Sequence, residues 1–206
     1  MYRLYAWKLT GSLATEAALA EAGAAFEIVP VNIRDGEQHT EAFGRINPRR
    51  QLPALRLPDG SVMTEGAAML LHIADAFPEA RLAPPPGSPA RAQHDRWLLF
   101  MAVNVYEGEL RKLGPQRYCD DPACAESVKS SAVAYVERHY RLLDDAIGEG
   151  PYVFGTDFTV LDIYVWMLAQ WMDAGWLARS CPKVKRLADA VAARPKVAPV
   201  HAYHFG

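Results

Sequence analysis

QLPALRLPDGSVMTEG, residues 51–66, holds two strand signals, a turn and the start of a helix within one short stretch. Ala54 to Leu57 and Ser61 to Met63 read as short strands. Between them Pro58-Asp59-Gly60 supplies turn chemistry: a fixed φ, a side chain that bonds its own backbone, and a residue free to take positive φ. The spacing predicts an antiparallel hairpin. Glu65 to Phe77 then follows helical periodicity and stops before Pro78. Working outward toward the start, Tyr2 to Trp7 reads as a strand, and Ser12 to Ala22 (SLATEAALAEA) as a helix closed by Gly23 in the C-cap position. Phe26 to Val31 alternates as a strand should. Asn32 to Gly44 is polar, with room for a short irregular helix. The order βαβ, then α, then ββα is a thioredoxin-like α/β layout.

Working outward toward the other end, Leu82 to Pro89 (LAPPPGSP) can continue neither helix nor strand. It predicts a linker over 79–90 between a domain at 1–78 and an all-helical domain at 91–206. Helices are expected over Arg91–Leu113, Ala123–Ile147, Thr159–Ala174 and Pro182–Ala193, the last stopped by Pro195. The third is apolar nearly all round, which puts it at the centre of its domain. Thr159 and Asp162 form a Thr-x-x-Asp capping box before it, a folding element.

Half of the 206 residues are hydrophobic and the net charge is −2, so there is ample core and no field to gather nucleic acid or anionic lipid. Arg49-Arg50 is the densest basic spot, too small to be a patch. The opening residues lack a secretory pattern, and no apolar run is long enough to span a bilayer. Three cysteines at unrelated spacings predict reduced thiols in a cytoplasm. His201 and His204 have metal-ligand spacing but lack an acidic or thiol partner in sequence, so they are expected at the surface and no metal is expected.

Three boundaries carry candidate chemistry. Thr10-Gly11-Ser12 places hydroxyls at the start of the first helix, where negative charge is stabilised and a bound thiol would ionise more readily. Gln51-Leu52-Pro53 enters a strand through an X–Pro bond. A cis bond there would turn the main chain of Leu52 outward to pair with an extended peptide. Thr64-Glu65-Gly66 opens a helix: its free N–H groups suit a carboxylate and Glu65 suits an ammonium, together an amino-acid zwitterion. Each has a plainer explanation taken singly: Ser12 or Thr64 as an N-cap, Pro53 as a trans proline. Their order, each at an element boundary of one layout, raises them together.

These residues resemble the soluble glutathione transferases, most closely the bacterial beta class. The likeness runs through Leu4-Tyr5, Ser12-Leu13-Ala14, Glu21-Ala22-Gly23, Ile46-Asn47-Pro48, Gln51-Leu52-Pro53-Ala54-Leu55, Thr64-Glu65-Gly66-Ala67, Gly155 to Ile163 and Arg194-Pro195. The resemblance implies glutathione as co-substrate, a small hydrophobic electrophile as second substrate and a homodimer; the charge balance and the lack of a long apolar run lead us to expect no nucleic-acid or membrane partner. It implies that Leu52 pairs with the cysteinyl part of glutathione, with Pro53 as the cis proline and Gln51 beside it. Glu65 and Gly66 would bind the γ-glutamyl end. Ser12 matches the small hydroxyl residue beside the sulfur, with Thr10 and Tyr106 as further candidate catalytic hydroxyls. Beta-class members carry a cysteine just before that serine; here it is Gly11, which counts against thiol–disulfide reductase chemistry. The basic residue of the second loop has two candidates, Arg34 and His39. Tyr5, offset by one in its strand, is expected to be structural. Trp7 and Lys8 are candidates for lining the electrophile pocket. A non-catalytic ligand carrier, or a glutathione-dependent isomerase or peroxidase, would share the same glutathione site.

Overall fold

A computed structural model describes residues 1–206, which form two compact units: Met1–Pro84 with Val191–Gly206, and Pro85–Ala190. The first holds a four-stranded sheet in the order β2-β1-β3-β4. Strand β1 (Tyr2–Ala6) runs parallel to β2 (Phe26–Pro30), with Tyr2 opposite Phe26 and Ala6 opposite Pro30. It runs antiparallel to β3 (Ala54–Arg56), with Tyr5 opposite Ala54. The hairpin partner β4 (Val62–Met63) pairs Met63 with Leu55. The Asp59 side chain takes hydrogen bonds from the N–H and hydroxyl of Ser61, and Gly60 sits at φ 91°, which closes the turn.

Helix α1 (Ser12–Ala22) is buried on almost every side, including Leu13, Ala14, Ala17, Ala18 and Leu19. Small alanines let its backbone lie close to its neighbours, and Gly23, left-handed at φ 69°, ends it by donating to Ala20. Helix α2 (Glu41–Ile46) starts at Thr40, whose hydroxyl accepts the N–H of Phe43. Helix α3 (Gly66–Ala76) buries Met69, Leu70 and Ile73. On the sheet, Tyr5, Val31, Phe43 and Ala54 form one apolar cluster, so Tyr5 is a core residue, its hydroxyl accepting from Arg56 Nε at 3.3 Å.

The second unit is helical. Ser88 caps α4 (Pro89–Phe100), and Pro89 takes the first helical position, where a missing N–H costs nothing. The single helix expected to Leu113 is broken by a π-helical stretch, Met101–Tyr106, before α5 (Glu107–Leu113). Helices α6 (Ala125–Ala146), α7 (Val160–Ala169), α8 (Ala174–Ser180) and α9 (Pro182–Ala192) follow. Helix α7 is buried at every residue. It stops short of the expected Ala174 because Gln170 and Trp171 bond back to Met167 and Leu168 in a tightened turn. Asp173 then caps a new helix by accepting the N–H of Trp176 at 2.6 Å.

The capping box at α7 forms as its residues predict. Asp162 accepts the Thr159 N–H at 2.7 Å, the Thr159 hydroxyl at 2.9 Å and the Val153 N–H at 2.8 Å. Burial pushes its carboxyl up to about 6 against the pull of those three donors.

Val191–Gly206, including the helix α10 (Ala198–Phe205), packs with the first unit. The cause is specific. Arg194 grips the carboxylate of Glu21 on α1 through two nitrogens at 2.7 and 3.0 Å, and Lys196 donates to the Glu21 carbonyl at 2.8 Å.

Candidate active site

Strand register decides what meets where. Ala6 ends β1 beside Pro30, which ends β2, while Ala54 begins β3 beside Tyr5 and Met63 ends β4 beside Leu55. The Thr10 loop, the Arg34–His39 loop, the Leu52-Pro53 segment and the start of α3 therefore all lie at one end of the sheet. That is the carboxyl end of the parallel pair, where open α/β sheets place ligands and where helix N-termini offer N–H groups.

The loop from Trp7 to Ser12 is held by its own hydroxyls. Thr10 Oγ1 lies 2.8 Å from Ser12 Oγ and 2.9 Å from the Trp7 carbonyl, and Ser12 Oγ lies 3.1 Å from that same carbonyl. Thr10 Oγ1 also accepts the Ser12 N–H at 3.3 Å, so Ser12 is not an N-cap but the first residue inside α1. Ser12 is fully buried, whereas Thr10 is partly exposed. Trp7 is half-buried and Lys8 exposed, its ammonium 4.2 Å above the ring of Tyr203 in the tail.

Leu52–Pro53 is a cis peptide. The approach to it is shaped by buried Asn47, which donates to the Gln51 carbonyl at 2.8 Å and accepts the Arg49 N–H at 3.0 Å. Leu52 lies outside the sheet ladder, whose first β3 pair is Ala54 with Tyr5.

Glu65 sits at φ 64° immediately before α3, and neither it nor Thr64 caps the helix with a side chain. The conformation is disfavoured for any residue but glycine, and such residues cluster at ligand sites. Arg49 Nη1 meets Glu65 Oε1 at 2.6 Å, with both side chains more than half exposed. Sequence reasoning passed over Arg49 as a mere basic spot; its place in the turn just before Gln51-Leu52-Pro53 is the only signal that could have singled it out. Its neighbour Arg50 turns the other way, to the carbonyls of His39 and Thr40, and ties the second loop down. Arg34 and His39 are both exposed on that loop. Tyr106 closes the π-helical stretch of the second unit, stacked parallel on Tyr164 at 6.2 Å and edge-on to Trp171 at 5.3 Å. No group of three or more His, Cys, Asp and Glu side chains is gathered to hold a metal ion.

The model of the glutathione S-transferase N-terminal domain matches residues 12–76, and that of the C-terminal domain matches residues 91–202. The chain belongs to the glutathione S-transferase family. It is 30% identical over 199 residues to the GST-like protein YncG of Escherichia coli, covering 96% of this chain and 95% of that one. It is 29% identical to glutathione S-transferase GstA of E. coli O157:H7, over 78% of this chain and 77% of the relative. Among solved structures, a glutathione transferase homologue from Sulfitobacter with bound glutathione superposes with a TM-score of 0.90 at 29% identity, each chain 98% covered. A beta-class transferase from Sphingomonas chungbukensis gives 0.78 at 29% identity, again with 98% of each chain covered. The thioredoxin-like domain followed by a helical domain is thus the glutathione transferase fold.

Proposed function

We propose that this glutathione S-transferase family member joins glutathione, through its thiolate, to small hydrophobic electrophiles. The observation that carries the reading is the meeting, at one end of the sheet, of the Thr10–Ser12 hydroxyls, the Leu52-Pro53 edge and the uncapped start of α3. The main chain of Leu52 takes the cysteinyl part of glutathione, with Gln51 beside it. Gly66 and the open N–H groups of α3 take the γ-glutamyl carboxylate, while Glu65 takes its ammonium. The exposed Arg49–Glu65 pair is weak enough to exchange for these partners, which frees Arg49 for a ligand carboxylate.

In this assignment Thr10, more than Ser12, donates to the sulfur. Ser12 is buried with its proton held by the Trp7 carbonyl or by Thr10, whereas the partly exposed Thr10 hydroxyl gives up its own bond to that carbonyl to donate to the sulfur when glutathione binds, with Ser12 aiming it. Tyr106 is a candidate donor on the family resemblance alone. The thiol proton goes to solvent, the thiolate attacks the electrophilic carbon, a C–S bond forms, and in a substitution the leaving group departs with its electron pair. Positioning and thiol ionisation are the enzyme's contribution.

Glutathione affinity chromatography with a chlorodinitrobenzene assay tests the reading. Thr10→Val should lower kcat by about 100-fold and raise the pH midpoint of thiolate formation, the scale expected when one preorganised donor is lost. Ser12→Ala should act more weakly. Retention on the column without turnover would replace the enzyme by a ligand carrier.

A second reading has one observation in its favour: 26% identity to the maleylacetoacetate isomerase of Pseudomonas aeruginosa across 97% of this chain and 95% of that one. There glutathione would add and leave again unchanged. Turnover of maleylacetoacetate exceeding that of chlorodinitrobenzene would favour it. We also propose a homodimer, supported by Leu99 and Val103, apolar side chains four residues apart that are 53% and 64% exposed. Light scattering of Val103→Lys should then show a monomer. A cytoplasmic setting fits three unpaired cysteines.

A further inference from the structure

Helix α10 brings one imidazole into the core of the first unit. Two histidines near the end of the sequence suggested surface residues, yet His204 is buried. Its ring nitrogens reach two different elements. Nε2 lies 2.9 Å from Oε2 of Glu16 on α1, and Nδ1 accepts the main-chain N–H of Leu9 at 3.1 Å. An N–H pointing at Nδ1 requires that nitrogen to be unprotonated. The network thus assigns the ring hydrogen to Nε2, where the Glu16 carboxylate accepts it.

Leu9 is the weak point of the loop. Its φ is 62°, a conformation a branched side chain resists, and its side chain is 46% exposed, so packing does little to hold it there. Its N–H is held by His204. On one side of Leu9 stands Trp7, whose carbonyl receives the hydroxyls of Thr10 and Ser12; on the other stands Thr10 itself. The path of the chain across this one residue sets where the Thr10 hydroxyl points. We propose that His204 is a positioning residue for thiol activation: its imidazole clamps Leu9 and through it aims Thr10 at the glutathione sulfur. The proposal rests on the reading of Thr10 given above.

A pair of variants separates clamp from packing. His204→Asn places an amide oxygen near the position of Nδ1 and keeps an acceptor for Leu9. His204→Gln places its amide near Nε2 and keeps only the Glu16 contact. His204→Gln should lower kcat on the order of tenfold to a hundredfold, the scale of a small misplacement of a reacting group, with the KM for glutathione nearly constant. It should also raise the pH midpoint of thiolate absorbance in the bound glutathione, while His204→Asn stays close to the parent. If the loss of its partner by Glu16 impairs folding of His204→Asn, adding Glu16→Gln removes the orphaned charge. Equal losses of kcat and melting temperature in both variants, or a His204→Gln enzyme like the parent while Thr10→Val shifts the thiolate midpoint, would overturn the clamp. Should Thr10→Val and His204→Gln both leave the thiolate midpoint unmoved, the hydroxyl reading is what fails. Amide exchange at Leu9 then decides the clamp: protection lost in His204→Gln and kept in His204→Asn sustains it, and equal protection overturns it.

Discussion

Helices α3 and α7 begin with similar letters and opposite physics. At α7 the Thr-x-x-Asp sequence closes on itself: Asp162 takes two main-chain N–H groups and a hydroxyl, and Thr159 caps in return. At α3 the Thr-Glu-Gly sequence invites the same outcome, yet neither side chain caps, and Glu65 sits left-handed with its carboxylate turned to Arg49. The first N-terminus satisfies its orphan donors from within the chain and hides the result. The second leaves them unfilled at the end of a sheet and adopts a disfavoured backbone in doing so. The difference teaches that orphan helix N–H groups serve folding where they are buried with an acceptor, and serve ligands where they are held open.

Substitutions can break that contrast. The largest effect should come from Asp162→Ala, which strands three buried donors and should cost about 3 kcal/mol or more in denaturant unfolding, with glutathione affinity of the folded protein unchanged. Nearly as large is a pH effect at the same residue. With its carboxyl raised to about 6, the folded chain holds this proton more tightly than the unfolded chain does. The contribution is full below the ordinary carboxylate range and is lost as pH rises through about 6, a swing of about 3 kcal/mol. Unfolding free energies across pH should show that slope in the parent and lack it in Asp162→Asn.

At the open helix the readout changes from stability to binding. Glu65→Ala should weaken glutathione by about tenfold to a hundredfold in calorimetry, the range for a hydrogen bond to a charged group. Unfolding free energy should stay nearly fixed, because exposed ion pairs contribute little. If Glu65→Ala lost stability and kept affinity, α3 would be a second α7 and the contrast would collapse. The smallest effect expected is from Thr159→Ala, about 1 kcal/mol in the same unfolding measurement for one lost cap.

Features set by neighbours in sequence were legible. Pro58-Asp59-Gly60 demanded a turn, Gly23 a left-handed helix end, and Thr159 with Asp162 a capping box, because each needs only residues a few places apart. The cis bond at Pro53 came from family resemblance alone, since local sequence favours trans. What escaped depends on contacts across long separations or on backbone detail without a side-chain signature. The Arg49–Glu65 pair, the tail gripping Glu21 and His204 reaching Leu9 all join residues far apart in the chain. The π-helical turn at Met101–Tyr106 has no residue pattern to announce it. That Ser12 is buried and Thr10 partly exposed depends on tertiary packing, which both hydroxyl residues conceal equally when read as letters.

The tail grip on α1 also bears on how the polypeptide is made. Residues 191–206 complete the unit that begins at Met1, yet they leave the ribosome after the whole of 85–190. The helical unit can therefore finish folding while the unit made first still waits for Arg194, Lys196 and His204. Synthesis from one end commonly lets the earliest domain fold first. Here the unit begun before 85–190 is completed after it, and until then the Glu16 and Glu21 carboxylates on α1 await their cationic and imidazole partners.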